Sequence, residues 1–252
     1  MTAGAERPLH YVLSAGRTGT MFLERLVQTY CEGVTVKHEP SPSRRLLLLG
    51  NLRNDTGLLS GVVGRMAARH RVRRHDGPNP FIEINPFLCP VTDLLPQPGR
   101  PLRVVHMVRA PGDWARSIVT FKASDRYRAL VDWVPFAKPY PAPRPEGWGG
   151  LSEFEQALHR WAWCNARIAA LEGAAERYAV VRSEDIFGSD TARRDRAVQT
   201  IFDTLGLDPP IGLSPDFMTE RVNPAPSGEV HDDPQAVRRI CGNLARAYGY
   251  DV

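Results

Sequence analysis

Short apolar runs alternate with amphipathic stretches along most of the chain. The first apolar run covers residues 9–14, and apolar side chains recur at helical spacing over residues 19–31. The clearest run, LRVVHMV at 102–108, is followed by Pro111, a typical helix-start residue. The pattern therefore predicts two strand–turn–helix units, and the second helix is expected to begin near Pro111 to Asp113. The apolar positions of the first helix are Met21, Phe22, Leu23, Leu26 and Val27.

The same alternation continues on either side of the second unit. Ser41 or Ser43 is the expected N-cap of one helix, Ser152 caps another, and Gly206 closes a third. Strands that alternate with helices predict an α/β fold, here one domain over residues 1–252 with a parallel sheet covered by helices on both faces. The further predicted strands are 33–40, 80–85 and 177–182, and the further helices begin in the segments 41–52, 61–77, 151–174, 193–207 and 235–249.

Composition narrows the class of protein. The chain has 252 residues, of which 42% are hydrophobic and 24% charged, as in ordinary globular proteins. The net charge of +4 comes mostly from Arg, which suits an anionic ligand without demanding nucleic acid. The four cysteines form no C-x-x-C pair, and no segment is apolar enough for a signal peptide or a membrane span. We therefore expect a reduced, cytoplasmic protein with neither a membrane nor a nucleic acid as partner.

The turn SAGRTGT, between the first strand and its helix, has the composition of an anion-binding loop. Such turns direct backbone N–H groups at a phosphate-like ligand. The Walker A spacing is absent, and Arg17 and Thr18 stand where a Lys is expected. Tight packing without a ligand is the alternative interpretation. The predicted ligand-binding residues are Gly16, Arg17, Thr18, Gly19, Thr20 and Met21.

A second candidate anion site follows the strand 102–108. This strand ends in Arg109, and Ser117 lies on the helix after it. The carboxyl ends of parallel strands share one edge, so a ligand with two separated phosphate-like groups could bridge both turns. ATP-using P-loop enzymes place an Asp, not a cation, at such a strand end to hold Mg²⁺. Arg109 therefore predicts a site without a metal and a transferred group of lower charge. In the alternative interpretation, Arg109 pairs with Asp113 and Ser117 is only a surface hydroxyl.

Four blocks of the sequence resemble one family, the sulfotransferases that use 3′-phosphoadenosine 5′-phosphosulfate (PAPS). SAGRTGTMFL resembles their 5′-phosphosulfate loop, and VRAPGDWARS resembles their 3′-phosphate motif. RYAVVRSEDIF and TIFDTLGL resemble a later strand and helix, and the order of all four blocks matches over most of residues 9–210. Arg17 is typical of bacterial and carbohydrate-type members, whereas cytosolic members carry Lys. Cytosolic members also contact the 3′-phosphate through a C-terminal Arg-Lys-Gly segment. This segment is missing here, and ERVNPAPSG occupies a similar region. The positions shared with the 3′-phosphate motif are Arg109, Pro111, Asp113 and Ser117.

The resemblance implies a P-loop-type sheet and a metal-free transfer of a sulfuryl group from PAPS. The acceptor would be a hydroxyl or an amine of a small molecule or carbohydrate. Arg17 would stabilise developing charge on the bridging oxygen. A Lys-Glu pair follows the loop helix in Golgi-type heparan sulfotransferases, and Glu39 matches the proposed base there. His38 ranks second because imidazole titrates near neutrality, and Glu83 ranks third as base or, with Asn85, as a substrate ligand.

The remaining segments leave several alternatives open. Residues 122–150 are predicted to form a lid or substrate loop over an acceptor with apolar or ring faces. Glu83 could equally form a structural ion pair with an Arg, and the arginines of 65–74 read as a solvated helix face. A small-molecule kinase using ATP and Mg²⁺ and a non-catalytic nucleotide-binding or nucleic-acid-binding protein are the rival functions. The acceptor and the oligomeric state stay open. The aromatic residues of the predicted lid are Trp133, Phe136, Tyr140 and Trp148.

Overall fold

The computed structural model describes residues 7–120, 138–210 and 233–252. Its five described strands form one sheet in the order β2-β3-β1-β4-β5, and every neighbouring pair is parallel. The predicted parallel sheet is therefore confirmed, with each strand within a few residues of its expected place. The strands are β1 Leu9–Ser14, β2 Thr35–His38, β3 Phe81–Ile84, β4 Leu102–Val108 and β5 Arg177–Arg182.

Eight α-helices in the described ranges connect and cover these strands. None of them combines the length and the apolar character that a membrane crossing needs. A 3₁₀ segment, Pro86–Leu94, follows β3. The helices are α1 Thr20–Tyr30, α2 Ser43–Thr56, α3 Ser60–His75, α4 Pro111–Val119, α5 Glu153–Ala169, α6 Ser183–Phe187, α7 Thr191–Leu205 and α8 Pro234–Ala247.

Alternate side chains of β1 enter two different cores. Tyr11 and Leu13 pack on the face that contains Trp161 of α5, whereas Val12 packs on the opposite face with Leu23 and other apolar side chains. All of these side chains are almost fully buried. Both faces of the sheet are therefore covered by helices, as the near-continuous apolar strands predict.

Local signals fix some helix ends and not others. Ser152 caps α5 in a complete capping box with Glu155, and α7 ends at Gly206 with a φ of 69°, so both predictions are confirmed. The predicted serine cap of α2 is wrong. That helix begins after Pro42 without a side-chain cap, because the Ser43 oxygen accepts from Asn85 Nδ2 instead of from a helix N–H, while its hydroxyl donates to the Pro40 carbonyl.

Part of the basic segment on α3 has structural contacts. The Arg71 guanidinium donates to the carbonyls of Leu94 and Leu95, at 2.8 and 3.2 Å. Arg74 donates to the Ser41 carbonyl at 3.3 Å. These two arginines therefore tie α3 to neighbouring segments, and the solvated helix face that the sequence predicts is carried by the other arginines of this helix.

The strand order creates a crevice beside β1. In the strand order, β2 lies to one side of β1, whereas β5 lies on the opposite side of β4, the neighbour of β1. The chain therefore turns in opposite directions along the sheet after β1 and after β4. The segments that leave β1 and β4 therefore diverge at the carboxyl edge, and such a switch point is the usual ligand site of an open parallel sheet. The turns after residues 14 and 108 both lie at this point.

Buried histidines predict a protein that loses stability in acid. His106 of β4 is fully buried between Asn165 Oδ1 and the Tyr178 hydroxyl, at 2.8 and 2.7 Å. Burial lowers its pKa from 6.5 to about 4, and that of His10 likewise to about 4. The unfolded chain takes up these protons first, so stability is complete above pH 6.5 and falls toward pH 4, by about 3 kcal/mol for His106.

We expect His106→Gln to flatten this acid loss, whatever it costs at pH 7. Urea unfolding at pH 7 and pH 4.5 measures the difference for wild type and variant. The half-buried His159 offers a comparison position: burial lowers its pKa as well, but His159 is less enclosed than His106, so glutamine there should flatten the slope less. An unaltered pH slope in His106→Gln would contradict the assignment.

Candidate functional site

The turn after β1 has the backbone geometry of an anion-binding loop. Gly16, Arg17 and Gly19 have φ values of 85°, 56° and 88°, a conformation that glycine adopts easily and arginine rarely. Helix α1 begins directly after Gly19, and no side chain among the described residues caps it. The positive end of the α1 dipole therefore lies at this turn, where an anion is favoured.

Thr18 supplies an unsatisfied donor in the same turn. Its side chain is only 1% exposed, and Oγ1 has no hydrogen-bond partner among the residues that the structure describes. A buried hydroxyl without a partner is uncommon and costs free energy, about 1–3 kcal/mol. A phosphate or sulfate oxygen held by the turn would satisfy it.

The two predicted anion turns meet in one crevice. Arg17 Nε donates to Ser117 Oγ at 3.3 Å, and Arg109 Nη1 donates to the Arg17 carbonyl at 3.3 Å. Burial lowers the pKa of Arg17, and the nearby charge of Arg109 lowers it further. Among the described residues, Asp113 pairs with Arg116 and not with Arg109, so the alternative pairing is wrong. Because the positive charges of Arg17 and Arg109 repel each other, an anion between them would stabilise both.

Two buried tryptophans hold these turns in place. Trp114 Nε1 donates to the Gly16 carbonyl at 2.7 Å, and Trp161 Nε1 donates to the Arg109 carbonyl at 2.9 Å. From its position in the helical pattern, Trp161 is predicted only to be a core residue, and nothing in this pattern singles out Trp114. A tryptophan in the first turn of a helix after an anion-binding strand end is a signal that could have revealed this support.

Phe187 also lies against the loop, and nothing in the sequence predicts it there. A Cβ placed on Gly19 would lie 2.2 Å from Phe187 Cε2, so the ring lies directly against the loop. Its ring also meets Phe22 edge-on, with centroids 5.2 Å apart, and the side chain stays 44% exposed. Gly19 is therefore required for its backbone conformation and for this close approach.

His38 and Glu39 lie at the end of β2, on the same sheet edge as the loop. His38 Nε2 is 2.9 Å from Thr20 Oγ1, and its backbone N–H donates to Glu24 Oε1 at 2.9 Å. Glu39 Oε1 is 3.9 Å from His38 Nε2, and Glu39 has a φ of 47°. His38 thus contacts Thr20, the first residue of α1, and Glu39 lies beside His38.

Glu83 and Asn85 are placed differently. Glu83 is 0% exposed, and both of its oxygens lie within 3.0 Å of His70 Nε2. Burial alone would raise the pKa of Glu83, but the hydrogen bonds to His70 and the nearby His75, whose Nε2 is 3.6 Å away, outweigh it and lower the pKa to about 2. Asn85 donates to both Glu83 and Ser43, at 2.6 and 2.7 Å. The alternative of an ion pair with Arg is wrong, because histidines are the partners.

The predicted lid is described only in part. Trp133 and Phe136 lie outside the described residues. Tyr140 and Trp148 meet edge-on with ring centroids 6.0 Å apart, and Asn51 of α2 donates to the Lys138 carbonyl at 2.7 Å. The segment 138–150 therefore packs on α2 and contains only a short 3₁₀ turn.

Metal ligation has no candidate cluster in the described part of the chain. There, no group of three or more His, Cys, Asp or Glu side chains is placed to hold a metal ion.

Comparison with known proteins gives structural similarity only. No protein-family model and no curated protein matches the sequence. The mouse sulfotransferase SULT7A1 complexed with PAP aligns at a TM-score of 0.42 and 14% identity over 82% of this chain. A sulfotransferase from Alicyclobacillus acidocaldarius aligns at 0.45 and 17% over 84% of this chain and 88% of its own. This chain spans 61% of the mouse protein.

Proposed function

We propose that this chain is a metal-independent sulfotransferase that moves a sulfuryl group from PAPS to a hydroxyl or amine of a small molecule or carbohydrate. The contact between the two cationic turns, through Arg17, Ser117 and Arg109, is the observation that carries the proposal. A ligand with a phosphate-like group at each end matches two adjacent anion sites. One ligand can then neutralise both guanidinium groups.

The loop residues fit the 5′-phosphosulfate end of this nucleotide. The N-terminus of α1, which no side chain of the described residues caps, and the unsatisfied Thr18 hydroxyl would hold its oxygens. Arg109 and Ser117 would hold the 3′-phosphate from the neighbouring turn. PAPS supplies an activated sulfuryl group when bound.

Arg17 and the end of β2 would divide the catalytic work. Arg17 would stabilise negative charge on the bridging oxygen, because a half-buried cation acts strongly in a site with little water. Glu39, at the edge of the crevice, would accept the proton of the acceptor, with His38 as the alternative. Glu83 is left out of this proposal because its carboxylate is enclosed by His70 and Asn85.

A cytoplasmic location is part of the proposal. All four cysteines are free thiols, and the sulfur atoms of Cys89 and Cys241 donate to backbone carbonyls. Unpaired buried cysteines are typical of proteins that fold in a reducing compartment.

Calorimetry distinguishes this function from that of a kinase. We expect adenosine 3′,5′-bisphosphate to bind in the presence of EDTA, and more tightly than ATP with Mg²⁺. The strand end that would carry an acidic metal ligand in a kinase carries Arg109 here. Transfer of ³⁵S from labelled PAPS to a panel of phenols, alcohols and amino sugars then tests the reaction itself. Tight ATP binding that depends on Mg²⁺ would refute the proposal.

Arg109→Ala is expected to reduce selectivity for the 3′-phosphate. Affinity for the bisphosphate should fall about 10- to 100-fold, the effect of one lost charge-assisted contact, whereas affinity for adenosine 5′-monophosphate should change little. Calorimetry with both nucleotides measures the ratio. Arg116→Ala is a matched control, because Arg116 lies on α4, the helix that follows Arg109, and pairs with Asp113. An equal loss for both nucleotides would assign Arg109 a different role.

A further inference from the structure

The main chain around Arg109 is held from both sides. Its carbonyl accepts from Trp161 Nε1 at 2.9 Å, and the N–H of the next residue, Ala110, donates to Glu184 Oε1 at 2.9 Å. Pro111 follows and has no N–H group. The Glu184 side chain therefore anchors the turn before α4 through the Ala110 N–H group.

Glu184 lies on α6, two residues after β5, and makes a second contact. Its Oε2 accepts from the Tyr250 hydroxyl at 2.8 Å. Arg182 donates to the Gly249 carbonyl at 3.0 Å and lies 5.8 Å from the centre of the Tyr250 ring. The residues around Tyr250 are thereby fixed against the carboxyl ends of β4 and β5, and the Glu184 carboxylate joins them to the turn that carries Arg109.

We propose that Glu184 is a positioning residue that sets selectivity for the 3′-phosphate. By accepting the Ala110 N–H it fixes the direction in which β4 ends, and hence where the Arg109 guanidinium meets the Arg17 turn. Displacement of a recognition group by about 1 Å is enough to weaken a geometry-dependent contact. The inference rests on the proposed function, because it assumes that Arg109 holds the 3′-phosphate.

The chain offers both a conservative variant and a matched control. Glu184→Gln keeps an oxygen that accepts from Ala110 and an amide that can donate to Tyr250. Glu184→Ala removes the acceptor, and Glu184→Asp shortens its reach. Asp185→Asn is the control, because Asp185 neighbours Glu184 on α6 but pairs with Arg182, at 2.9 and 2.8 Å, instead of with the Arg109 turn.

The readout is the ratio of two dissociation constants measured by calorimetry, adenosine 5′-monophosphate over adenosine 3′,5′-bisphosphate. We expect Glu184→Ala to lower this ratio about tenfold, while affinity for the monophosphate stays within about twofold. Glu184→Gln and Asp185→Asn should keep the wild-type ratio. If Glu184→Ala does not fold, Glu184→Asp decides the question by the same measurement.

Each outcome points to one conclusion. A wild-type ratio in both Glu184→Ala and Glu184→Asp, or an equal drop in Asp185→Asn, would overturn the positioning role while leaving the proposed function intact. A wild-type protein that does not prefer the bisphosphate would instead contradict the proposed function, and the inference would fall with it.

Discussion

Replacing Arg17 with alanine is expected to lower turnover by about 10²- to 10³-fold and to weaken nucleotide binding much less. The guanidinium is half-buried, and burial lowers its pKa, so it is held away from bulk water at a point where charge interactions are strong. Nε donates to Ser117, which fixes the side chain between the two turns. A cation held in advance acts mainly on charge that develops in the transition state.

Single-turnover rates with saturating PAPS, together with calorimetry of the bisphosphate, separate these two effects. Arg17→Lys is the informative companion, because it restores the charge but not the planar fork that reaches Ser117. We expect it to recover part of the lost rate. Equal losses of rate and nucleotide affinity in Arg17→Ala would reduce Arg17 to an ordinary binding residue.

Those parts of the fold that local chemistry specifies could be predicted from the sequence. β1, β4 and β5 have the predicted bounds because each is an apolar run that ends at turn residues or charge. Ser152 caps α5 because its partner Glu155 is three residues away. The two anion turns could be placed at one edge because parallel strands all end there.

Contacts between distant segments could not be predicted in this way. Trp114 and Trp161 support the turns through hydrogen bonds to residues 98 and 52 positions away. The Ser43 hydroxyl oxygen could accept from an N–H of its own helix, but in the packed structure it accepts from Asn85, 42 residues away, and the hydroxyl donates to Pro40. The histidine partners of Glu83 come from a helix that the sequence pattern marks simply as basic.

Glu83 shows why a carboxylate at a favourable strand position is weak evidence for a base. A general base needs a lone pair that the acceptor can reach and a pKa that leaves it basic enough to take the proton. Hydrogen bonds to the buried Glu83 lower its pKa from 4.5 to about 2. In addition, His70 and Asn85 occupy its oxygens. Glu39, at the end of β2, keeps 26% of its side chain exposed, so an acceptor can reach its oxygens.

Glu39→Gln is therefore expected to lower sulfuryl transfer by about 10²- to 10⁴-fold and to leave binding of PAPS intact. The amide has nearly the shape of the carboxylate, so the strained backbone at Glu39, with its φ of 47°, is unaffected. Single-turnover transfer of ³⁵S and nucleotide titration by calorimetry measure the two quantities on the same preparation.

His38→Gln should give a different pattern from Glu39→Gln. His38 contacts Thr20, whose hydroxyl borders the loop, so its replacement should weaken nucleotide binding as well as the rate. A near-normal rate in Glu39→Gln together with a loss of rate alone in His38→Gln would move the base to His38. Near-normal rates in both variants would leave Glu83 as the remaining candidate base. His70 and Asn85 would then have to release the Glu83 carboxylate before it could take a proton from an acceptor.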